Sequence, residues 1–496
     1  MRQVSGMDEF FLYFERSGLP MHVGSLAVFD CSTSPGGVPT FAQIRQSLRR
    51  GAERSPMLQK RLLDVPTWLD RPYWLEAQKL EIDDHVRHVK LSHPRSWARF
   101  CSEVARLFES PLDLDRPLWE TLVITDLDGI EGMPPSGFAV LTKAHHVVLD
   151  GVAGVELMTA FLDESPEPVR QEPVDRRRPD EPPGVLELTT RAVTNRLNRA
   201  GSAAGLAART LPTMLKEQAD SWTTQVERED ETASSTDTVG RTTFNGRPTA
   251  ARVFGGIRLE LDAVQLLREG AKGATVNDVI LAICGGALRD YLQATEDLPA
   301  QPLVAMAPVS IREAGTETEG GNRVSMMSTT LGSEIADPLA RLQHVCGAAR
   351  SSKKQGSSTG ATTMLDIAEL IPSALGHVAA QTYRTMDLSS RHAPFFNCVV
   401  TNVPGPREPL YLAGAKMVSN YGIGPIFDGM GLIHPVLSYD DSITIAFTSC
   451  PSMIREPALY TECLRSAFEE LRAAVETKKA PEGEARVLDL RRSEVS

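Results

Sequence analysis

The sequence predicts a mixed α/β protein of two halves, and three observations support this prediction. The chain has 496 residues, more than one hydrophobic core of ordinary size accommodates. Short runs rich in Val, Ile and Leu occur in both halves beside longer segments of helical spacing. A Pro-rich, charged stretch over 163–184 separates them and cannot form a core. We expect the following division: an N-terminal subdomain over 1–165, a linker with crossover helices over 166–240, a C-terminal subdomain over 241–476 and a charged tail over 477–496.

The first half contains three strand-like segments and three segments of helical spacing. Strands are predicted at 24–30, 120–125 and 137–147, where apolar runs are too short for buried helices. Helices are predicted at 40–50, 96–108 and 151–162, where apolar residues recur every three or four positions. This order indicates a mixed α/β unit.

The second half shows the same mixture. Two helices carry explicit start signals: Thr275 precedes one helix, and Asp337 followed by Pro338 opens another. The predicted helices lie at 262–272, 276–293, 338–352, 363–385 and 457–476. The predicted strands lie at 253–261, 303–311, 324–331, 397–402 and 443–449.

Composition excludes several classes of protein. Lys and Arg number 52 and Asp and Glu 64, so the formal net charge is −12, which disfavours nucleic-acid binding. The seven cysteines are scattered without a CxxC pair, which indicates neither a disulfide scaffold nor a zinc site. No apolar run is long enough to span a bilayer, and acids interrupt the apolar N-terminal stretch. We therefore expect a cytoplasmic protein that is soluble or peripherally bound.

The strongest local signal is the run HHVVLDG, which begins at His145 and ends at Gly151. The preceding strand alternates, so His145 and His146 should point to opposite faces, and only one imidazole can line a channel. Periodicity alone does not say which one. A neutral histidine at a strand end can remove a proton from a hydroxyl group. Asp150 could orient the loop, or it could simply cap the helix predicted after it.

Three further segments admit a functional or a structural interpretation. The run Arg116–Glu120 (RPLWE) enters a strand, where proline and tryptophan also serve packing alone. Asn277 lies in the first turn of a helix, where an amide could donate toward a reacting carbonyl or interact with the helix dipole. The run NVPGP, which begins at Asn402, ends a buried strand and could be no more than a rigid turn.

Taken together, these segments resemble the bacterial wax ester synthase/acyl-CoA:diacylglycerol acyltransferase (WS/DGAT) family. The resemblance begins with SGMD at Ser5 and PMHVG at Pro20, and it continues through PLWE, HHVVLDG and TVNDV. It extends through PVSIR at Pro308, GN at Gly321, NVPGP and SY at Ser438. The motif HHxxxDG alone is shared with condensation domains and chloramphenicol-acetyltransferase-like enzymes, whereas the ordered set is more specific. The family implies two chloramphenicol-acetyltransferase-like subdomains with a substrate tunnel between them.

The resemblance also implies roles for individual residues. His146 would be the general base beside His145, Asp150 would hold the loop, and Gly151 would permit close approach of the backbone. Asn277 would lie beside the active-site channel, and the other segments would shape the substrate passage or support it. The substrate-binding positions implied in this way are Pro117, Leu118, Trp119, Asn277, Asn402, Pro404 and Gly405.

The implied activity is acyl-CoA-dependent esterification of diacylglycerol to triacylglycerol. Long-chain fatty alcohols, which would give wax esters, are the alternative acceptors. Acyl-CoA is then a substrate, and neither a cofactor nor a metal is expected. A condensation-type acyltransferase is a second class, but the sequence shows no carrier domain. A non-catalytic lipid-binding protein is a third, which the retained His146, Asp150 and Gly151 disfavour.

Lipid acceptors are poorly soluble, so we expect contact with the inner membrane leaflet or with lipid droplets. The helix predicted at 363–385 is a candidate contact segment, with an apolar side that includes Ile371 and Leu375. The structural alternative is a helix packed on the core. Pro372 inside this segment predicts a kink.

Overall fold

Two six-stranded sheets and one three-stranded sheet form the framework of the protein. The computed structural model describes residues 1–16, 19–77, 80–149, 159–167, 181–199, 201, 239–310, 324–356 and 371–493. The strands are β1 (Arg2–Gln3), β2 (His22–Asp30), β3 (Lys60–Leu63), β4 (Tyr73–Glu76), β5 (Val86–Lys90), β6 (Trp119–Thr125), β7 (Gly137–His145), β8 (Val253–Glu260), β9 (Val304–Ser310), β10 (Val324–Thr330), β11 (Cys398–Pro404), β12 (Tyr411–Leu412), β13 (Ala415–Ile423), β14 (Ile433–Tyr439) and β15 (Ser442–Ser449). The helices are α1 (Gly6–Arg16), α2 (Phe41–Arg54), α3 (Ile82–His85), α4 (Trp97–Phe108), α5 (Leu261–Leu267), α6 (Val276–Ala294), α7 (Pro338–Gly356), α8 (Ser373–Thr385) and α9 (Pro457–Ser493). A further helical stretch covers 185–199.

The first large sheet has the strand order β12-β13-β2-β7-β6-β5, and only its β5–β6 pair is parallel. Side chains along β7 alternate between two apolar layers. Phe138 and Val140 pack in the layer that contains residues of α2. Ala139 and Leu141 pack in the layer that contains residues of α4. The sheet is therefore buried on both faces, which explains why β7 lacks exposed polar positions along most of its length.

The second large sheet has the order β10-β9-β11-β14-β15-β8. Its apolar residues share one buried cluster with those of helix α6. The side chain of Thr275 accepts a hydrogen bond from the backbone N–H of Asp278, and this capping box starts α6. A Cβ at Gly285 would lie 2.0 Å from the carbonyl oxygen of Leu331, so glycine allows α6 to approach the end of β10 closely. Asp337 caps α7 in the same way, through a 2.7 Å bond from the N–H of Ala340.

A segment of the C-terminal half of the chain joins the sheet of the N-terminal half. β12 and β13 follow β11 of the second sheet in sequence, yet β13 pairs with β2 of the first sheet along Lys416–Ile423. The next strand, β14, returns to the second sheet between β11 and β15. The first sheet is therefore completed by residues from the C-terminal half, and the two halves are not independent along the sequence.

The structure confirms the predicted mixture of helices and sheets, with several differences in detail. The strand predicted at 137–147 ends at His145 because the chain turns there into a 3₁₀ helix (His146–Leu149). Pro372, inside the helix predicted at 363–385, is the N-cap of α8, which begins after it. Of that helix, 363–370 lie outside the described residues, as do 151–158 of the helix predicted at 151–162.

Helix α1 and strands β13 and β14 were not predicted. The apolar stretch that forms α1 is interrupted by acidic residues. Asp8 and Glu9 are buried in the structure, so the helical pattern of α1 includes acidic positions on its packed side. Helix α9 continues to Ser493, beyond the predicted end at 476. Of the helices in the described part of the chain, none combines the length and apolarity that a membrane span requires.

Candidate functional site

The two adjacent histidines lie at one end of the first sheet, where β7 ends and where β2 and β6 begin. β7 ends at His145, which pairs directly with His22 at the start of β2. The backbone N–H of His145 donates to the carbonyl of Leu118, just before β6, over 2.9 Å. The backbone N–H of His146 donates to the carbonyl of Met21, just before β2, also over 2.9 Å. The turn is thus held from both sides by backbone hydrogen bonds.

His146 has an aromatic neighbour and a strongly perturbed environment. Its ring stacks on that of Phe11 in α1, with centroids 3.6 Å apart and planes inclined by 14°. The residue remains partly exposed, although its Nδ1 is buried without a hydrogen-bond partner among the described residues. Burial disfavours the imidazolium ion and lowers the pKa of His146 to about 4. The ring is therefore neutral at pH 7, which is the form that can accept a proton.

His145 occupies a different environment and is fully buried. Its Nδ1 accepts a hydrogen bond from the backbone N–H of Val147 over 3.1 Å. Its Nε2 lies 3.8 Å from the Oε2 of Glu15, a carboxylate at the end of α1. The two imidazoles therefore differ in exposure, and His146, in the 3₁₀ helix after β7 instead of in the predicted strand, is the one that reaches solvent.

The residues Pro117, Leu118 and Trp119 are all buried at the entrance to β6. The indole Nε1 of Trp119 donates to the carbonyl of Leu58 over 2.9 Å, and its ring stacks on that of His85 at 4.5 Å. Leu118 contacts the site through its carbonyl, which accepts the N–H of His145 as described above. This segment therefore contacts the turn formed by His145 and His146, here called the double-histidine turn, through a backbone hydrogen bond, and its own side chains are packed.

The residues Asn402, Pro404 and Gly405 lie at the end of β11, beside β14 in a parallel pair. The N–H of Gly405 donates to the Oγ of Ser438 over 3.2 Å, and a Cβ at Gly405 would lie 2.2 Å from the carbonyl oxygen of Ser438. The backbone approach therefore requires glycine. This segment belongs to the second sheet, and the structure describes no hydrogen bond between it and His146.

Asn277 is the second residue of α6 and is half-buried. The capping box uses its neighbour Asp278, so the amide of Asn277 is not needed to start the helix. Asp150 and Gly151 lie outside the described residues. Two small, mainly apolar cavities are described beside Met417 and Asn420, and His146 lines neither of them.

The sequence analysis did not identify the buried charged side chains near the histidines, which are those of Lys143 and Glu15. Lys143 is fully buried; its Nζ lies 2.8 Å from the carboxylate of Glu120 and donates to the carbonyl of Leu107 over 3.1 Å. Burial raises the pKa of Glu15 to about 7, against the opposing effect of the Met21 N–H and of positive charges. The available signal was the spacing of Phe11 and Glu15, four positions apart in an apolar stretch, which places both on one helical face.

The comparisons with known proteins agree with this geometry. The family model of the wax ester synthase/diacylglycerol acyltransferase catalytic domain matches residues 4–280, and that of the C-terminal domain of the same family matches 320–472. A Mycobacterium tuberculosis protein named for diacylglycerol O-acyltransferase activity is 30% identical over 457 residues, covering 92% of this chain and 87% of its own. The O-acyltransferase WSD of Acinetobacter baylyi is 29% identical over 461 residues, covering 91% of this chain and 92% of its own.

Solved structures show the same relationship. The wax ester synthase/diacylglycerol acyltransferase of Marinobacter aquaeolei VT8 superposes with a TM-score of 0.64 at 26% identity, covering 96% of this chain and all of its own. A starter condensation domain of rhizomide synthetase, solved in complex with C8-CoA, shares the fold with a TM-score of 0.51 at 15% identity, over 96% of this chain and 95% of its own. This chain belongs to the wax ester synthase/diacylglycerol acyltransferase family.

Proposed function

We propose that this protein is an acyl-CoA-dependent O-acyltransferase that esterifies diacylglycerol to triacylglycerol, with His146 as the general base. The observation that carries the proposal is a neutral, partly exposed imidazole at the end of β7, in the motif HHxxxDG. The family match supports the class of reaction. The relatives named for diacylglycerol acyl transfer support the acceptor.

The reaction follows from the protonation state of His146. The imidazole removes the proton of the acceptor hydroxyl as its oxygen bonds to the thioester carbonyl carbon. The tetrahedral intermediate then collapses, the carbon–sulfur bond breaks, and the imidazolium returns the proton to the CoA thiolate. An ordinary thiol has a pKa of about 8.5, far above that of His146, so this last transfer is downhill. The reaction needs neither a cofactor nor a covalent acyl-enzyme.

The other site residues have supporting roles in this proposal. Asn277 provides an amide that can donate to the oxyanion, a contribution typically worth about 10²–10³ in rate. The family resemblance implies that Asp150 holds the loop after His146 and that Gly151 permits close approach of the backbone; both lie outside the residues that the structure describes. Asn277→Ala should therefore lower kcat with the fold intact, and Asn277→Asp should lower it at least as far because a carboxylate repels an oxyanion.

The test is an acyl-transfer assay with purified variants. Wild type, His146→Ala and the control His344→Ala are incubated with radiolabelled palmitoyl-CoA and diacylglycerol, and the lipids are separated by thin-layer chromatography. His344 is an exposed histidine on α7. We expect His146→Ala to lose about 10²–10⁴ in rate, with an unchanged melting temperature, and His344→Ala to retain full activity. Undiminished transfer by His146→Ala contradicts the assignment of the base.

Wax ester synthesis is the second candidate, and the name of the Marinobacter relative favours it. The same assay with hexadecanol in place of diacylglycerol measures this activity directly. A mixture of the two acceptors at equal concentration gives the ratio of kcat/KM values, which is the measure of preference. Exclusive formation of wax ester overturns diacylglycerol as the acceptor and leaves the role of His146 intact.

We also propose that helix α8 makes peripheral contact with a membrane leaflet or lipid droplet. One face of α8 is buried against α1, where Tyr13 packs on His377 at 4.6 Å. The opposite face is exposed and apolar: the exposed fraction is 60% for Leu375 and 57% for Val378. Ile371, which precedes the N-cap Pro372, is also exposed. This face is the lipid-contact surface in our proposal.

Liposome flotation tests the lipid-contact surface. We expect Leu375→Asp combined with Val378→Asp to reduce the fraction of protein that floats with anionic vesicles. Leu266→Asp is the matched control, because Leu266 is 53% exposed on α5, in the other half of the chain. Equal flotation of all three proteins contradicts the assignment of α8.

A further inference from the structure

Glu15 is a buried carboxylate that the mechanism above does not use. It lies in the last turn of α1, and its side chain is 6% exposed. Its Oε2 accepts a short hydrogen bond from the backbone N–H of Met21. The carbonyl of the same residue, Met21, accepts the N–H of His146 over 2.9 Å. The backbone of Met21 therefore links the carboxylate of Glu15 to the backbone of His146.

The second contact of Glu15 is with His145. Because Nδ1 of His145 accepts the N–H of Val147, the neutral ring carries its proton on Nε2. This nitrogen lies 3.8 Å from the Oε2 of Glu15. The tautomer of His145 thus presents a donor on the side of the ring where the carboxylate lies, and a small movement brings the pair within hydrogen-bond distance.

Helix α1 brings a second side chain to the same place. Phe11 precedes Glu15 by four residues and so lies on the same face of the helix. It stacks on His146 at 3.6 Å, while Glu15 lies near His145 and holds Met21. One helical face therefore contacts both histidines of the motif, one by stacking and one by charge.

We propose that Glu15 is a positioning residue for the reaction, fixing the ring of His146 through the backbone of Met21 and through His145. This inference rests on the proposed function. Loss of the carboxylate would free Met21 and with it the carbonyl that anchors the N–H of His146. A displacement of a catalytic group by about 1 Å can cost about 10²-fold in rate.

The ionisation of Glu15 adds a measurable signature. The charged or titratable groups that act on Glu15 are His145 and Lys143 on β7 and Arg252 before β8. His22 on β2 lies directly opposite His145. Burial lowers the pKa of His22 and of Lys143 and raises that of Glu15 to about 7. Above pH 7 the carboxylate can accept from both partners, and below pH 7 its proton weakens this pairing.

The kinetic test compares Glu15→Gln and Glu15→Ala with Glu9→Gln. Glu9 is a buried carboxylate of the same helix that accepts from Tyr13 and Ser373 and lies away from the histidines. We expect kcat/KM of wild type to fall below about pH 7 and this inflection to disappear in Glu15→Gln. Glu9→Gln keeps it. Glu15→Ala should lose about 10²-fold in kcat with little change in KM.

Imidazole NMR provides a readout that does not depend on activity. In ¹⁵N-labelled protein, with signals assigned from His146→Ala, we expect Glu15→Ala to change the tautomer or pKa of His145 and to shift His146, and Glu9→Gln to leave both unchanged. Unaltered histidine signals together with a retained pH inflection overturn the proposal. If the wild-type protein transfers no acyl group but Glu15→Ala still shifts the histidine signals, the proposed function is wrong and the structural coupling of Glu15 to the histidines stands.

Discussion

Replacing Phe11 with Ala tests why His146 is neutral. The pKa of His146 is about 4, against an ordinary value of 6.5. This difference corresponds to at most about 3–4 kcal/mol of unfavourable charging. Phe11 covers one of the two faces of the imidazole at 3.6 Å, so its removal returns water to roughly half of the ring. We therefore expect Phe11→Ala to recover about half of the difference, and the pKa of His146 to rise toward 6.5.

The assay is an NMR titration of the histidine ring protons between pH 3.5 and pH 8. Phe10→Ala is the control: Phe10 is the preceding residue of α1, is 41% exposed, and contacts the rings of Phe11, Phe14 and Phe427, with no ring contact to His146 described. We expect the titration of His146 to move in Phe11→Ala and to stay in place in Phe10→Ala. An unmoved titration in Phe11→Ala refutes burial by this ring as the cause of the neutral state.

The same substitution changes how stability depends on pH. The unfolded chain binds a proton at this histidine near pH 6.5, and the folded protein only near pH 4. This contribution to stability is complete above pH 6.5 and is lost as the pH falls from 6.5 toward 4. The unfolding free energy of Phe11→Ala should therefore fall less steeply across this range than that of wild type, as measured by urea titration at several pH values.

Three further substitutions test local packing by urea unfolding at pH 7. Gly405→Ala places a Cβ 2.2 Å from the carbonyl oxygen of Ser438, and we expect a loss of about 1–3 kcal/mol in unfolding free energy. Trp119→Phe leaves the carbonyl of Leu58 without its 2.9 Å donor, and we expect a loss of about 1–3 kcal/mol. Thr275→Ala removes the side-chain cap of α6 and should cost about 0.5–2 kcal/mol.

Each of these substitutions has a control within the chain. Gly36→Ala adds a methyl group where no atom lies within 4 Å, so it should be nearly neutral. Trp97→Phe changes a partly buried indole for which no hydrogen bond is described. Thr275→Ser keeps the capping hydroxyl. A loss as large in the control as in the test variant contradicts the stated cause in that pair.

Much of the fold could be predicted because its elements carry local signals. The start of α6 at Thr275 and that of α7 at Asp337 were predicted from capping residues alone, and the structure confirms both. The crossing of β13 into the first sheet could not be predicted. It depends on pairing between Lys416–Ile423 and a strand nearly 400 residues earlier in the chain, and no local pattern encodes that partner.

Part of the candidate site could likewise be predicted from local sequence, and part depends on distant contacts. Alternation along β7 indicated that His145 and His146 differ in environment, but only the opposing strand shows which one is enclosed, because His145 lies directly opposite His22. Glu15 and Phe11 were missed because their roles arise from contacts with the end of β7, some 130 residues away in sequence. A helical assignment of the N-terminal segment would have placed them on one face, yet not beside the histidines.

The geometry also explains why three proline-containing or histidine-containing segments come together. β2 begins, β7 ends and β6 begins at the same end of the first sheet, where these three strands are antiparallel. The residues just before β2 and β6, Met21 and Leu118, each follow a proline and each offer a carbonyl to the double-histidine turn. In both segments the proline, which fixes its own φ, lies two residues before the strand begins. The backbone of His145 and His146 is therefore held by the entrances of two strands, and Phe11 of α1 covers one face of the imidazole of His146.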